Sequence, residues 1–396
     1  MMKRKLCDVF EKPLSGEWGV ELEEGEKGVY VIRTTNFTNL GVLNLKDVVS
    51  RKIDIDKYQS KLLKMGDIII EKSGGSPTQP VGRVVIFEEN NEEKYFCNNF
   101  TSILRPKSII NPKYSLYMMK DLYKRKKVLK YQNKTTGIIN LKLNDYLNNT
   151  EVSIPDIDKQ IRIATILDKS QKLIDKRKAQ IEALDELVKS RFIDMFGDPV
   201  KNQKKLTKVE LGKVGEWKTG GTPSRSNNEY YNGNISWLSS GELNNMYCFN
   251  SIEMITELAI KESSAKIIEK GSLLLGMYDT AALKSTINMI ECSCNQAIAY
   301  SKLDEKLVNT IYVYYCIQIG KDFYKSQQRG VRQKNLNLSM IKGLEILMPD
   351  LNSQNQFADF VNQIDKLKFE MQKSLEEMEN NFNSLMQRAF KGELFN

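Results

Sequence analysis

The chain has 396 residues, a formal net charge of +9 and no histidine. This length is enough for two domains of ordinary size, and the excess of lysine and arginine favours a polyanionic partner, either nucleic acid or an anionic membrane surface. The absence of histidine excludes a Ser-His-Asp triad, a Cys-His pair and histidine metal ligands. The sequence contains no run of about 18 apolar residues and no signal-peptide core, so we expect a cytoplasmic protein.

The six cysteines are scattered along the sequence. Only Cys292 and Cys294 are close together, and their spacing is not that of a zinc knuckle. The sequence also lacks a Walker A loop. We therefore expect free thiols, no metal site and no nucleotide bound by such a loop.

A short basic segment, residues 1–12, precedes a first globular part at residues 13–154. Runs rich in β-branched residues predict strands in this part, and a longer run predicts a helix. The predicted elements are strands at 29–32, 67–71, 81–87 and 95–99 and a helix at 111–129.

Polar residues follow these predicted elements, where a rigid frame can hold them against base edges or phosphates. The candidate DNA-binding residues are Arg33, Thr34, Thr35, Asn36, Lys72, Ser73, Arg83, Asn98, Asn99, Lys124, Lys126, Lys127, Lys134, Thr135 and Thr136. Two simpler interpretations stay open, because a lysine run is often only a solvated helix face, and Asn98, like Asn295 in the second half, can serve as a turn cap.

Residues 155–203 predict a long helix that begins after Pro155-Asp156 and ends before Gly197 and Pro199. The sequence contains neither Pro nor Gly between Gln160 and Phe196. Apolar residues recur there at seven-residue spacing, which is typical of a coiled-coil contact. The candidate helix-pairing residues are Leu167, Ile174, Ile181, Val188 and Met195.

A second globular part at residues 204–348 repeats the plan of the first with different polar residues. Predicted strands again end in polar loops, and a predicted helix is again followed by Lys and Arg. The candidate DNA-binding residues are Lys218, Thr222, Arg225, Ser239, Ser240, Glu242, Tyr278, Asp279, Asn295, Gln296, Arg329, Arg332, Gln333 and Lys334.

Residues 349–396 predict a second long helix that repeats the first at a fixed offset. Pro155, Gln160 and Phe196 match Pro349, Gln354 and Phe390. The candidate helix-pairing residues are Ile364, Leu367, Met371, Met378, Phe382 and Leu385.

The repeat predicts an α+β protein in which two mixed α/β domains are separated by two long helices. We expect the helices to pack as an antiparallel coiled coil, which produces a pseudo-two-fold internal repeat. About 37 residues at 1.5 Å each make a helix of roughly 55 Å, longer than the ~34 Å turn of B-DNA. One frame that carries two different polar sets is suited to reading two different DNA sequences, and hence a non-palindromic site.

Several motifs, in this order and at this spacing, resemble the DNA specificity subunit of type I restriction-modification enzymes. They are W-K-T-G-G-T-P-S-R at 217–225, I-S-W-L-S-S-G-E-L at 235–243, C-N-Q-A at 294–297, G-V-R-Q-K-N-L-N-L at 330–338, P-D-x-x-x-Q at the start of each long helix, M-F-G-D-P at 195–199 and R-A-F-K-G-E-L near the end. The first half departs from this wording, since it lacks a G-G-T-P loop and has Asn98-Asn99 in place of Asn-Gln.

The resemblance implies that each globular part is a target recognition domain for one half of a bipartite, asymmetric DNA site. The two conserved spacer helices would then set the spacing and dock two methyltransferase subunits, which bind S-adenosylmethionine and methylate adenine at N6. A translocating nuclease subunit that uses ATP and Mg can join such complexes. This chain would hold no catalytic residue and no cofactor of its own.

Two other function classes compete with this interpretation. The first is a non-enzymatic coiled-coil scaffold that binds proteins or membrane lipids, whose binding would ignore DNA sequence and persist at high salt. The second is a standalone nuclease or methyltransferase, but the sequence has neither an N/D-P-P-Y/F motif nor a glycine-rich S-adenosylmethionine loop.

Overall fold

The computed structural model describes residues 2–38, 41–76, 78–135, 138–278, 281–326 and 335–395, with only the backbone of Lys134 and Thr135. The chain divides into two compact units. Unit 1 comprises Met1–Arg177 and Ser374–Asn396, and unit 2 comprises Lys178–Lys373. Each unit therefore contains one globular part together with a portion of both long helices.

The helices of the described residues include two that are far longer than the rest. The two long helices are α4 (Ile157–Phe196) and α9 (Leu351–Lys391). The shorter helices are α1 (Leu6–Val9), α2 (Pro112–Lys124), α3 (Leu143–Asn149), α5 (Glu257–Glu262), α6 (Thr310–Ile319), α7 (Lys321–Lys325) and α8 (Leu338–Lys342).

The strands are short and fall into small sheets. Those of unit 1 are β1 (Met2–Lys5), β2 (Leu14–Ser15), β3 (Val29–Ile32), β4 (Val49–Arg51), β5 (Ile68–Glu71), β6 (Ser73–Gly75), β7 (Val84–Ile86), β8 (Tyr95–Cys97), β9 (Thr101–Leu104), β10 (Gln132–Thr135), β11 (Ile138–Leu141) and β12 (Glu151–Ile154). Those of unit 2 are β13 (Lys208–Glu210), β14 (Lys218–Thr219), β15 (Tyr231–Leu238), β16 (Tyr247–Cys248), β17 (Glu253–Ile255), β18 (Leu273–Gly276), β19 (Ser285–Asn288), β20 (Ser293–Cys294), β21 (Ile298–Ser301) and β22 (Glu345–Leu347).

The two units share the topology of their two main sheets, while the sheet β10-β11-β6 is described in unit 1 alone. The order β2-β9-β5-β7 in unit 1 corresponds to β14-β21-β18-β19 in unit 2, where β16 is added at the edge. A second sheet, β4-β3-β8, corresponds to β17-β15-β20, and its β3–β8 and β15–β20 pairs are both parallel. The repeat read from the sequence is therefore a repeat of fold, and the predicted α+β class is confirmed.

The central strand of each larger sheet is buried on both faces, which explains its continuous apolar sequence. In β5, Ile68 and Ile70 join the core on the α2 side, whereas Ile69 joins the core on the side of the second sheet. In β18, Leu273 and Leu274 divide in the same way between two cores. Because side chains alternate along a strand, one short run supports two layers.

Helix α2 ends earlier than the sequence predicted. We expected a helix to residue 129, but α2 stops at Lys124. Lys126 has a φ of 58°, in the left-handed region, which a continuing right-handed helix cannot contain. The lysines that follow α2 therefore lie on a turn instead of a helix face.

The long helices α4 and α9 pack as an antiparallel pair, as predicted. In unit 1, Ile163 near the start of α4 shares a core with Met386 near the end of α9. In unit 2, Phe192 near the end of α4 contacts Phe357 near the start of α9, with ring centroids 5.3 Å apart.

Most predicted helix-pairing residues are covered, and one departs from the prediction. Leu167, Ile174 and Val188 are buried, and Ile181, Met195, Ile364, Met371, Met378, Phe382 and Leu385 are half-buried.

Leu367 is the residue that departs, because it is 48% exposed. Seven-residue spacing from the buried Val361 falls on Lys368, and the Lys368 ammonium lies 2.6 Å from a carboxylate oxygen of Asp185 on α4. An ion pair therefore occupies the place where the sequence suggested a leucine contact.

A buried glutamine joins the start of each long helix to the start of a domain helix. Gln160 donates to the carbonyl of Pro155 at 2.9 Å and accepts from the backbone N–H of Asn111 at 2.8 Å. Gln354 donates to the carbonyl of Pro349 at 2.9 Å and accepts from the N–H of Asn309 at 2.9 Å.

The two asparagines in these contacts begin α2 and α6. The side chain of Asn111 accepts from the N–H of Tyr114, and that of Asn309 accepts from the N–H of Ile311. The glutamine of the P-D-x-x-x-Q motif thus links the start of each long helix to the start of a helix in its domain by hydrogen bonds.

We expect Gln354→Ala to lower the free energy of unfolding of unit 2 by about 1–3 kcal/mol, because it leaves two buried backbone groups without partners. Urea unfolding in a Trp18→Phe background measures this, since the remaining tryptophans, Trp217 and Trp237, both lie in unit 2.

Gln363→Ala is the matched control, because Gln363 is exposed on the same helix and should change the free energy by no more than about 0.5 kcal/mol. Equal changes in the free energy of unfolding for the two substitutions would contradict this structural role of Gln354.

Candidate nucleic-acid interface

Seven of the fourteen candidate residues of unit 2 lie in one set of loops, which we call the unit 2 loop face. It consists of residues 220–226, 239–242, 250–253 and 295–296. Thr222 donates a hydrogen bond to the side-chain oxygen of Gln296, so the first loop meets the last. The loop face therefore gathers residues that are far apart in the sequence.

A close backbone approach sets the first of these loops. A Cβ on Gly220 would lie 2.2 Å from the carbonyl oxygen of Cys294, so only glycine fits there. The indole N–H of Trp237 donates to the carbonyl of Gly221 at 3.0 Å, and the hydroxyl of Tyr231 donates to that of Pro223 at 2.7 Å. Two aromatic side chains of β15 thus hold the backbone of this loop in place through hydrogen bonds to its carbonyls.

Arg225 is held at the surface by a carboxylate and two rings. Its Nη1 and Nη2 each lie 2.7 Å from one carboxylate oxygen of Glu253. The guanidinium lies 4.7 Å from the ring centroid of Tyr231 and 5.2 Å from that of Trp237. The hydrogen bonds of this pair raise the pKa of Arg225 and lower the pKa of Glu253.

Glu242 shapes the second loop. One carboxylate oxygen accepts from the N–H and the hydroxyl of Ser239, at 2.8 and 2.7 Å, and the other accepts from the N–H of Ile252 at 2.8 Å. Both oxygens of this candidate carboxylate thus already accept hydrogen bonds inside the loop face. Ile252 stands beside it with its side chain 85% exposed.

The other candidates of unit 2 show a range of exposure. Ser240 is half-exposed, Gln296 is exposed, and Tyr278 is 40% exposed. The side chain of Asn295 accepts from the N–H of Ala297 at 3.2 Å, as a turn cap would. Lys218 is exposed and pairs with Glu216 at 3.1 Å.

Unit 1 has a counterpart of the G-G-T-P loop that its sequence did not reveal. A Cβ on Gly16 would lie 2.4 Å from the carbonyl oxygen of Cys97 and 2.0 Å from that of Asn98, as one on Gly220 would lie 2.2 Å from that of Cys294 and 2.4 Å from that of Asn295. The N–H of Asn98 donates to Ile32 at 2.9 Å, as that of Asn295 donates to Leu238 at 3.0 Å. The segment that begins at Gly16 is therefore the equivalent loop, and only one glycine after a two-residue strand signals it.

Some candidates of unit 1 have structural partners. Asn36 is buried, accepts from the N–H of Arg33 at 2.9 Å and donates to the carbonyl of Asn44 at 3.0 Å. It therefore closes a turn after β3, as Glu242 does after β15. Arg83 binds both carboxylate oxygens of Glu71, with Nε at 2.8 Å and Nη2 at 3.0 Å.

Lys72 lies near the loop that begins at Gly16. Its ammonium donates to the hydroxyl of Ser15 at 2.6 Å, and burial lowers its pKa. Thr34, Ser73 and Asn98 are half-buried or buried, whereas Thr35 and Asn99 are exposed. Lys72, Thr35 and Asn99 are thus the unit 1 candidates placed near or on the surface of these loops.

The lysines after α2 are exposed. Lys126 and Lys127 face solvent, and Lys124 is exposed while its ammonium contacts the side-chain oxygen of Asn383. Other candidates lack a described side chain. Lys134 and Thr135 have only a described backbone in β10, and Thr136, Asp279, Arg329, Arg332, Gln333 and Lys334 lie outside the described residues.

Sequence reasoning missed a second arginine held by a ring and a carboxylate. In unit 1, the guanidinium of Arg51 lies 4.2 Å from the ring centroid of Trp18 and 3.2 Å from a carboxylate oxygen of Glu21. Arg51 lies on β4, which corresponds to β17, the strand that carries Glu253. No local signal marks these residues, because the fold brings them together.

Four of the six cysteines, Cys97, Cys292, Cys294 and Cys316, are buried, whereas Cys7 and Cys248 are half-buried. Burial raises the pKa of Cys97 to about 11 and that of Cys292 to about 12. Across the part of the chain that the structure describes, no three Cys, Asp or Glu side chains cluster as metal ligands. Within the same residues, no helix combines the length and apolarity needed to cross a bilayer.

Comparison with known proteins gives consistent matches. The family model described as "Type I restriction modification DNA specificity domain" matches residues 1–183 and 203–380. The StySPI specificity subunit of Salmonella potsdam is 24% identical over 390 residues, which cover 92% of this chain and 82% of that protein. The EcoR124I/EcoR124II specificity subunit of Escherichia coli is 25% identical over 163 residues, and this match covers 40% of each chain.

A solved structure shares the fold. The crystal structure of the type I restriction-modification S subunit from M. genitalium aligns with a TM-score of 0.57 at 14% sequence identity and covers 98% of this chain and 96% of that one. The matched family model spans most of the sequence and includes both globular parts. The chain therefore belongs to the family of type I restriction-modification DNA specificity subunits.

Proposed function

We propose that each unit reads one half of a bipartite, asymmetric DNA site. The observation that carries this proposal is that two units that share the topology of their two main sheets present different side chains at corresponding loops. Unit 2 presents Thr222, Arg225 and Gln296, whereas unit 1 presents Thr35, Asn99 and the residues that follow Gly16. Because base edges differ in their donors and acceptors, different side chains on one frame select different sequences.

The long helices have the second role in this proposal. The paired α4 and α9 set the number of unspecified base pairs between the half-sites and dock two adenine-N6 methyltransferase subunits. Restriction subunits that use ATP and Mg can join the same complex, which acts in the cytoplasm. S-adenosylmethionine binds to the methyltransferase subunits, and this chain contributes sequence recognition without a catalytic residue or a cofactor.

The experiment that tests the proposal is co-expression of this chain with its methyltransferase subunits, followed by single-molecule sequencing of methylated adenines in the host DNA. We expect a bipartite asymmetric motif that disappears when this chain is deleted. Methylation that persists without the chain, in a host with no second copy, would overturn the proposal and favour a scaffold.

Exchange of residues 13–154 for the corresponding part of a relative should change only one half of the methylated motif. The reason is that this segment supplies every described strand of unit 1 except β1, while the unit 2 loop face is left intact. Sequencing of methylated adenines gives the result directly. A change in both halves would show that the units do not read DNA independently.

Insertion of one heptad after Arg177 in α4, with a matching heptad after Lys373 in α9, should lengthen the spacer and preserve both half-sites. Seven helical residues add about 10 Å, which is about three base pairs of B-DNA. Both helices require the insertion because they pack on each other. An unchanged spacer in the methylated motif would exclude the helices as the determinant of spacing.

Reversal of charge at Lys124, Lys126 and Lys127 should weaken binding to all DNA sequences alike. For each phosphate that the protein no longer neutralises, we expect the slope of log K against log salt to become shallower by about 0.9. Fluorescence anisotropy with cognate and scrambled duplexes across a salt series measures both effects. Reversal of the exposed Lys3, Lys5 and Lys12 gives a control of equal net charge, and an equally weakened affinity in that control would argue against a specific phosphate interaction.

A further inference from the structure

The Arg225–Glu253 pair occupies the part of the arginine that DNA would use. Both terminal nitrogens of Arg225 donate to one carboxylate, in an end-on arrangement with two distances of 2.7 Å. A guanidinium binds a guanine through the same two-donor edge, with O6 and N7 as acceptors, and it binds a phosphate through two oxygens in the same way. The carboxylate of Glu253 presents the same pattern of paired acceptors.

The surroundings of Arg225 suit a planar two-acceptor partner. Tyr231 and Trp237 lie within about 5 Å of its guanidinium and restrict the orientation of the plane. The pair lies at the surface, since the Arg225 side chain is 57% exposed and that of Glu253 is 42% exposed. An isolated ion pair with this exposure contributes little stability, so stability alone does not account for its geometry.

The backbone of Glu253 is fixed in a sheet, whereas its carboxylate lies at the surface. Glu253 lies on β17, where it pairs with Trp237 of β15. The hydroxyl of Ser251 donates to the carbonyl of Glu253 at 2.5 Å and accepts from the N–H of Trp237 at 3.0 Å. Arg225 lies in a loop between β14 and β15, where its guanidinium rests on Tyr231 and Trp237 and can exchange the Glu253 carboxylate for another pair of acceptors.

We propose that Glu253 occupies, in the free protein, the donor edge through which Arg225 binds DNA, so that DNA must displace this carboxylate. The ligand is a pair of hydrogen-bond acceptors on the duplex, either O6 and N7 of a guanine or two phosphate oxygens. This inference rests on the proposed function. The consequence is that Glu253 lowers the affinity of unit 2 for every duplex. Only DNA sites that make enough additional contacts with unit 2 then bind tightly.

Unit 1 also has an arginine paired with a carboxylate beside its edge strand, but the strand and loop positions of the two residues are exchanged. There the arginine, Arg51, is on the strand and the carboxylate, Glu21, is on the loop that follows Gly16, with Trp18 as the ring. The Arg51 side chain is 17% exposed, and that of Glu21 is 89% exposed. Two units with different loop sequences therefore both place a ring-stacked arginine against a carboxylate beside an equivalent edge strand.

The test uses the full chain and fluorescent duplexes, one cognate for the methylated motif and one scrambled. We expect Glu253→Gln to tighten binding to both duplexes about 3- to 10-fold, and Arg225→Ala to weaken binding. The double variant should bind as Arg225→Ala does, because the carboxylate acts only through the guanidinium. Glu257→Gln is the matched control, since Glu257 is exposed four residues away and its substitution removes the same charge.

Three results would overturn the inference. The first is that Glu253→Gln leaves the affinity for DNA unchanged or weakens it. The second is that Glu253→Gln and Glu257→Gln increase this affinity equally. The third is that Glu253→Gln still increases the affinity when Arg225 is already replaced by alanine. Thermal unfolding of each variant separates a binding effect from a stability effect. If the wild-type chain binds no duplex, the proposed function itself fails, whereas a wild type that binds with an unresponsive Glu253→Gln sinks only this inference.

The same variants identify the acceptor. Reduced selectivity at one base pair of the half-site read by unit 2, in Arg225→Ala, identifies a guanine. An equal reduction in affinity for cognate and scrambled duplexes, with a salt slope lower by about 0.9, identifies a phosphate.

Discussion

The structure depends on the way in which each domain is tied to its long helix. Gln160 and Gln354 are both buried, and each bonds a helix start on one side and a domain backbone on the other. A buried amide without partners would cost about 1–3 kcal/mol, so these contacts tolerate little displacement. Each long helix therefore fixes the position of its domain through this glutamine, and the domain in turn fixes the position of the loops that are proposed to contact DNA.

Much of this architecture could be predicted because it is written in local patterns. The P-D-x-x-x-Q starts, the seven-residue spacing and the strands at 29–32 and 68–71 all follow from short-range rules of capping and periodicity. The predictions that departed were those in which a single position broke the pattern. Lys126 adopts a left-handed backbone that ends α2, and Lys368 occupies the heptad position adjacent to Leu367.

The candidate interface was less predictable, because its residues are assembled by the fold. Asn36 and Glu242 were singled out as polar residues at strand ends, but the structure uses both to close turns. Arg51 and Trp18 were not singled out, since 33 positions separate them in the sequence and only the edge strand brings them together. Local chemistry identifies which residues can contact DNA, and long-range packing decides which of them are already engaged.

The ion pair between Asp185 and Lys368 has a consequence for the alignment of the two long helices. A seam that repeats every seven residues is degenerate, because sliding one helix by a single repeat restores most apolar contacts. Such a slide would bring Lys368 opposite Lys178, a like charge, or opposite Phe192, a buried ring. The polar pair thus favours the observed register over those displaced by one repeat.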